Sequence, residues 1–154
     1  MTNDSAKKLF IYTEELSVGW QVKAIRGATT VSENTVAAIR EALMELLDEM
    51  EARNQHIAPT EIISATFSVT RDLDAIFPAA IARERPNWDN VPMLDVQQMH
   101  VAGSLERCIR FLIHVNVPGS HVKIYHTYLR QAQNLRPDWS LPQLLSPPAI
   151  QSPM

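Results

Sequence analysis

The sequence predicts a single domain of mixed α/β class, a mixed sheet with helices packed on one face. Three observations predict it. Four segments read as strands, at 20–26, 62–69, 91–96 and 108–117. One long segment, 36–53, carries an apolar stripe at helical spacing. The order strand, helix, strand, short helix, strand, strand, helix interleaves the two kinds of element within one unit. A chain of 154 residues fits one domain.

Residues 1–19 read as a leading extension. Lys7, Lys8, Glu14 and Glu15 surround a short apolar patch, Leu9-Phe10-Ile11-Tyr12, that shows no period. Trp20 to Arg26 alternates as a half-buried strand does, and Gly27-Ala28-Thr29-Thr30 ends it. Asn34 or Thr35 is the expected helix cap. Val36, Ile39, Leu43, Leu46, Leu47 and Met50 then recur at steps of three and four, which predicts an amphipathic helix to Arg53. Ile62 to Val69 is a second strand. Leu73 to Glu84 reads as short helical turns, with Pro78 suited to a first turn, and Arg85-Pro86-Asn87 breaks them. Val91 to Val96 is the third strand. Val101-Ala102-Gly103-Ser104 is a turn, and Cys108 to Val117 is a fourth strand bounded by Pro118-Gly119. Val122, Tyr125, Tyr128, Leu129 and Ala132 recur at helical spacing and predict a second long helix. Ala132 to Leu135 either continues it or forms a short strand, and Pro137 ends what precedes it. The domain therefore spans 20–141. Residues 142–154, rich in Pro and Ser, read as a flexible tail.

A formal net charge of -3 argues against a nucleic-acid partner, for which a basic field is the usual footprint. The lone cysteine, Cys108, allows no intramolecular disulfide and sits in an apolar run, where a small buried hydrophobe is expected. No segment has the apolar length of a membrane span, and a cytoplasmic location is expected. His56, His100, His114, His121 and His126 show no spacing that makes a metal site. No glycine-rich phosphate loop and no nucleophile elbow occurs.

Arginine at element ends stands out instead. Arg26 precedes Gly27, and Arg110 interrupts an otherwise apolar strand on the face of Cys108 and Leu112. A guanidinium buried there is costly without an anionic partner. Arg136 precedes Pro137. Arginine grips carboxylates with two parallel hydrogen bonds. Convergent arginines without a general base point to a small polyanion that is held and polarised. For any one arginine a structural salt bridge is the commoner explanation.

Several segments together resemble the chorismate mutases of the Bacillus, or aroH, class, over residues 20–141. The resemblance rests on Ala24-Ile25-Arg26-Gly27-Ala28-Thr29-Thr30-Val31, on Ser64-Ala65-Thr66, and on Asp72-Leu73-Asp74-Ala75-Ile76-Phe77-Pro78-Ala79. It also rests on Trp88, Val91-Pro92, Gln97-Gln98-Met99, Gly103-Ser104-Leu105, Arg107-Cys108-Ile109-Arg110, Tyr128-Leu129 and Leu135-Arg136-Pro137-Asp138. It implies an intramolecular isomerase that converts chorismate to prephenate in aromatic amino-acid biosynthesis. No cofactor, metal or covalent intermediate is implied. It further implies a homotrimer with active sites between subunits. In the matching positions Arg110 stands by the ether oxygen, Arg26 grips the side-chain carboxylate and Tyr128 bonds nearby. Gln98 meets the ring hydroxyl. Arg83 and Arg136 add charge at the mouth, and Phe77, Ala79, Met93, Leu94, Asp95 and Leu135 line the site.

The sequence departs from that pattern at three positions. Family members commonly carry glutamate where this chain has Gln98, which keeps a hydrogen-bond acceptor but not the charge. Asp95 stands where the Bacillus-class pattern has cysteine, and Ala80 where it has lysine. Asp95 is expected to replace the lost charge in part, which needs a bulge or a bend to bring it to the face of Gln98. The competing expectations are a non-catalytic relative that binds chorismate or prephenate, a deaminase that grips a keto acid with one arginine, and a plain interaction module.

Overall fold

The structure is a computed structural model and describes residues 19–140. Residues 1–18 and 141–154 lie outside the described residues, and with them nearly all of the expected extension and tail. One mixed sheet of five strands organises the rest, in the order β3-β2-β4-β1-β5. The strands are β1 (Gln21–Thr30), β2 (Ile62–Val69), β3 (Met93–Gln97), β4 (Cys108–Val117) and β5 (Thr127–Tyr128). Strand β4 runs antiparallel to both β1 and β2, while β3 and β5 pair in parallel at the two edges. Helix α1 (Val36–Arg53) and the short helix α2 (Pro78–Ala82) complete the domain with three 3₁₀ turns.

Helix α1 forms where the apolar stripe requires it. It buries Ala38, Ile39, Ala42, Leu43, Leu46, Leu47 and Met50, in one core with Ile25, Phe67, Phe111, Ile113 and Val115 of the sheet. Thr35 is its cap: its hydroxyl accepts the Ala38 N–H at 3.1 Å. Asn34 is used otherwise, accepting the backbone N–H groups of Asp74 and Ala75. Thr35→Ala is expected to cost about 1 kcal/mol in chemical denaturation.

The first strand is longer than its sequence suggests. Gly27 lies inside β1, which pairs with β4 as far as Thr30 opposite Cys108. The glycine is there for space: a Cβ would overlap the ring of Phe111, its cross-strand partner. Gly27→Ala is therefore expected to lower stability by about 1–3 kcal/mol, the usual cost of forcing extra volume into a packed core. A thermal melt checks it.

The expected helix over Val122–Ala132 does not form. The chain runs extended to β5 and then makes a 3₁₀ turn over Arg130–Leu135. Partners distant in sequence take its backbone groups. Lys23 Nζ donates to the carbonyls of Ser120 and Val122. The Asn54 side chain both accepts the Tyr125 N–H and donates to the Tyr125 carbonyl. The Leu129 N–H reaches the Ala28 carbonyl at 2.9 Å. Val122, Ile124, Tyr125, Thr127 and Tyr128 are β-branched or aromatic, types that favour extended backbone.

Candidate active site

Strand register decides which side chains meet. In one row across the sheet Arg26 stands opposite Leu112, which stands opposite Thr66, which stands opposite Leu94. In the next row Ala28 stands opposite Arg110, then Ser68 and Val96. Because these rows alternate with the core-facing ones, Arg26 and Arg110 share the face that neither α-helix covers. They are diagonal neighbours on adjacent strands, and with Thr66, Ser68 and Leu112 they line a small cavity of about 190 Å³.

The structural salt bridge expected of a typical arginine is absent at both. Arg40, Arg53, Arg85, Arg107, Arg130 and Arg136 each sit within ion-pair distance of a carboxylate. Among the described residues Arg26, Arg71, Arg83 and Arg110 do not, and of these four only Arg26 and Arg110 stand together on the sheet face. The Arg110 Nε is moreover buried and has no hydrogen-bond partner among the described residues. A buried N–H without a partner costs stability, so this nitrogen is suited to an acceptor that the described residues do not supply.

Gln98 shows the complementary feature. Its backbone N–H is fixed by the Val69 carbonyl at 2.8 Å, while its side-chain Oε1 is buried and unpartnered among the described residues. It follows β3 with the parity of Leu94 and Val96, the residues on the arginine face. The same face of the sheet thus carries an orphaned donor on β4 and an orphaned acceptor just past β3.

Tyr128 pairs with Ala28, and its ring is buried with Ala28 and Ala132 against Leu135 and Trp139. Leu135 and Arg110 also line a wider, open cavity of about 1080 Å³ with Arg107 and Arg130. Spacing did not reveal those two arginines. Their signal is in the backbone: both have positive φ, 44° and 51°, conformations uncommon for residues with a side chain. They close on the end of β1, Arg107 Nε on the Val31 carbonyl and Arg130 Nη1 on that of Thr30. Arg136 is held by Asp138 at 2.7 Å and stacks on Trp139.

The remaining expected residues collect elsewhere. Phe77, 71% exposed, precedes α2, and Phe77, Asp95 and Val96 line a separate cavity of about 510 Å³ at the β3 edge. Leu94 is exposed and Met93 half-buried, while Ala79 is buried and Arg83 follows the C-terminus of α2. The register of β2 with β3 is unbroken from Ala65 to Val69, so the bulge that would turn Asp95 towards Gln98 is missing. Asp95 faces the side of Phe67. Its Oδ1 accepts the Ala79 N–H at 2.9 Å. Burial pushes its carboxyl up, against that hydrogen bond and the nearby Arg83. Asp95→Asn keeps an acceptor for Ala79. It is expected to change kcat less than about threefold between pH 6 and 8, since one retained hydrogen bond decides the effect.

A mixed sheet that presents two guanidiniums without carboxylate partners on the face away from its α-helices defines a class of protein whose strand surface is suited to a small anion. Comparison with known proteins narrows it. A family model described as chorismate mutase type I matches residues 22–139. The chain is 38% identical over 120 residues to the chorismate mutase AroH of Bacillus subtilis (strain 168), covering 78% of this chain and 94% of that one. It is 42% identical over 117 residues to AroH of Thermus thermophilus, covering 76% and 95%. A solved chorismate mutase from Clostridium thermocellum matches with a TM-score of 0.67 and 44% identity, over 73% of this chain and 98% of that one. The chain belongs to the chorismate mutase family, type I. No described helix is long and apolar enough to cross a membrane.

Proposed function

We propose that this chorismate mutase rearranges chorismate to prephenate in a site shared between chains of a homotrimer. The observation that carries the proposal is the unpaired Arg26–Arg110 couple on the open face. In the rearrangement the ether C–O bond breaks and a C–C bond forms within one molecule. Negative charge grows on the ether oxygen and positive charge on the ring. A fixed guanidinium at Arg110 beside that oxygen binds the transition state more tightly than the substrate. Arg26 takes the side-chain carboxylate, with Tyr128 nearby. Gln98 Oε1 accepts the ring hydroxyl. Leu135 and Arg136 bound the mouth.

The Phe77 half belongs to a neighbour. Three strand spacings separate β1 from β3, roughly 14 Å, too far for one small dianion to touch Arg26 and the Phe77 cavity of the same chain. Val22 and Leu94, each 60% exposed, lie on the face away from the α-helices, an apolar surface that a second copy covers. The neighbour's Phe77, Ala79, Met93, Leu94, Asp95 and Arg83 then wall the site opposite the arginines.

Two measurements test this. Loss of chorismate absorbance must exceed the uncatalysed rate; equality would leave a non-catalytic binding relative. Separately, Arg110→Ala and Phe77→Asp chains, each impaired alone, are unfolded together and refolded as mixed trimers. A shared site regains about a quarter of wild-type activity in an equimolar mixture, because one site in four draws both halves intact. A site within one chain regains none.

A further inference from the structure

We propose that His126 is a positioning residue for the Arg26 grip, its imidazole Nδ1 holding the Arg26 backbone, and that Trp139 ties this contact to Arg136. The inference rests on Arg26 as the carboxylate grip.

The argument begins with a gap in the sheet. Strand β5 is two residues long and pairs with β1 at Gly27 and Ala28 alone. The edge ladder therefore ends one residue short of Arg26, whose N–H would be left at the margin of the sheet. No backbone carbonyl takes it. His126, the residue just before β5, turns its side chain back, and Nδ1 accepts the Arg26 N–H at 2.9 Å. A side chain thus does the work of a strand residue directly beneath a guanidinium that makes no ion pair.

His126 is itself held by two further contacts. Its carbonyl accepts from Arg53 Nη1 of helix α1 at 3.1 Å. Its ring stacks on Trp139, with centroids 3.9 Å apart and planes inclined by 31°. The Arg136 guanidinium lies over the same indole at 3.3 Å and is bonded by Asp138. Trp139 also approaches Tyr128, centroid to centroid at 6.0 Å. One aromatic side chain therefore links three residues of the proposed site, Arg26 through His126, Tyr128 and Arg136.

This arrangement works only with a neutral imidazole, since a protonated one has no acceptor to offer. The groups facing the ring favour that form. Burial lowers its affinity for a proton, and the Arg136 and Arg26 guanidiniums lower it further, against Asp138 alone. As pH falls through the acid side of the histidine range the ring gains a proton, loses its bond to the Arg26 N–H and adds a cation beneath the grip. The effect on substrate binding therefore appears on the acid side, as a rise in KM while kcat, governed by Arg110, moves less.

Steady-state kinetics from about pH 8 to about pH 5 separate the possibilities, this being the span in which a histidine titrates. Wild type is expected to show KM climbing on acidification. His126→Asn keeps an acceptor that cannot be protonated, and its acid limb should disappear. His126→Phe keeps the stacking ring and loses the acceptor, and its KM at neutral pH should rise about three- to tenfold, the worth of one hydrogen bond. An acid limb that persists in His126→Asn, or an unchanged KM in His126→Phe, overturns the inference. Arg26→Ala is the control: if it leaves KM unaltered the grip itself is misassigned, whereas a raised KM there beside an indifferent His126→Phe condemns only the role of His126.

Discussion

Arg110→Ala is expected to lower kcat by about a hundred- to a thousandfold, with a smaller change in KM, the range seen when one preorganised donor to a developing anion is removed. The asymmetry follows from where the charge appears. Chorismate enters with an ether oxygen that is a poor acceptor. That oxygen becomes a strong one only as its bond to carbon breaks, so Arg110 contributes chiefly at the barrier. The cost of holding the guanidinium ready is visible in the resting structure, in the buried Nε without a partner. Its removal should therefore relieve the fold, and the melting temperature of Arg110→Ala is expected to stay level or rise. A kcat equal to wild type, with only KM altered, would move Arg110 from the ether oxygen to a carboxylate. Arg110→Lys separates charge from shape. It restores a cation but not the fixed plane of the guanidinium, and is expected to recover only part of the loss.

The contrast between Arg110 and His126 shows how far the sequence carries a reader. Arg110 was legible because it breaks an apolar alternation, and the bounds of β4 and of helix α1 were legible for the same reason: local pattern and burial agree there. Segment 120–135 was not. Its spacing of apolar residues suits a helix, but Lys23, Asn54 and Ala28 take its backbone groups from positions about 70 to 100 residues away. The role of His126 depends on β5 ending after two residues, which no periodicity announces. Asp95 shows the reverse. Alternation placed it away from Gln98, and the unbroken β2–β3 register keeps it there. The family resemblance supplied the expected roles of Arg26 and Gln98; the structure adds that Gln98 Oε1 is buried without a partner among the described residues and that Arg26 makes no ion pair among them.

Gln98→Glu is expected to raise kcat by ten- to a hundredfold. Gln98 already holds its acceptor in place, with the backbone pinned by Val69 and Oε1 buried. What it lacks is charge on the side of the transition state where the ring becomes positive. A carboxylate about 6 Å from a half-developed positive charge, at an effective dielectric near 20, contributes roughly 1.4 kcal/mol, and about twice that for a full charge. The sign of the pH dependence is fixed by the same burial that makes the effect large. Desolvation raises the pKa of a carboxyl placed there, so the gain is present above that raised pKa and fades as pH falls through it. Wild type, with an amide that does not titrate, shows no such limb. The measurement is kcat against pH for the two proteins side by side. A Gln98→Glu enzyme no faster than wild type at any pH up to about 8, well above the ordinary carboxyl range, would mean that the ring end of the substrate does not lie against this residue.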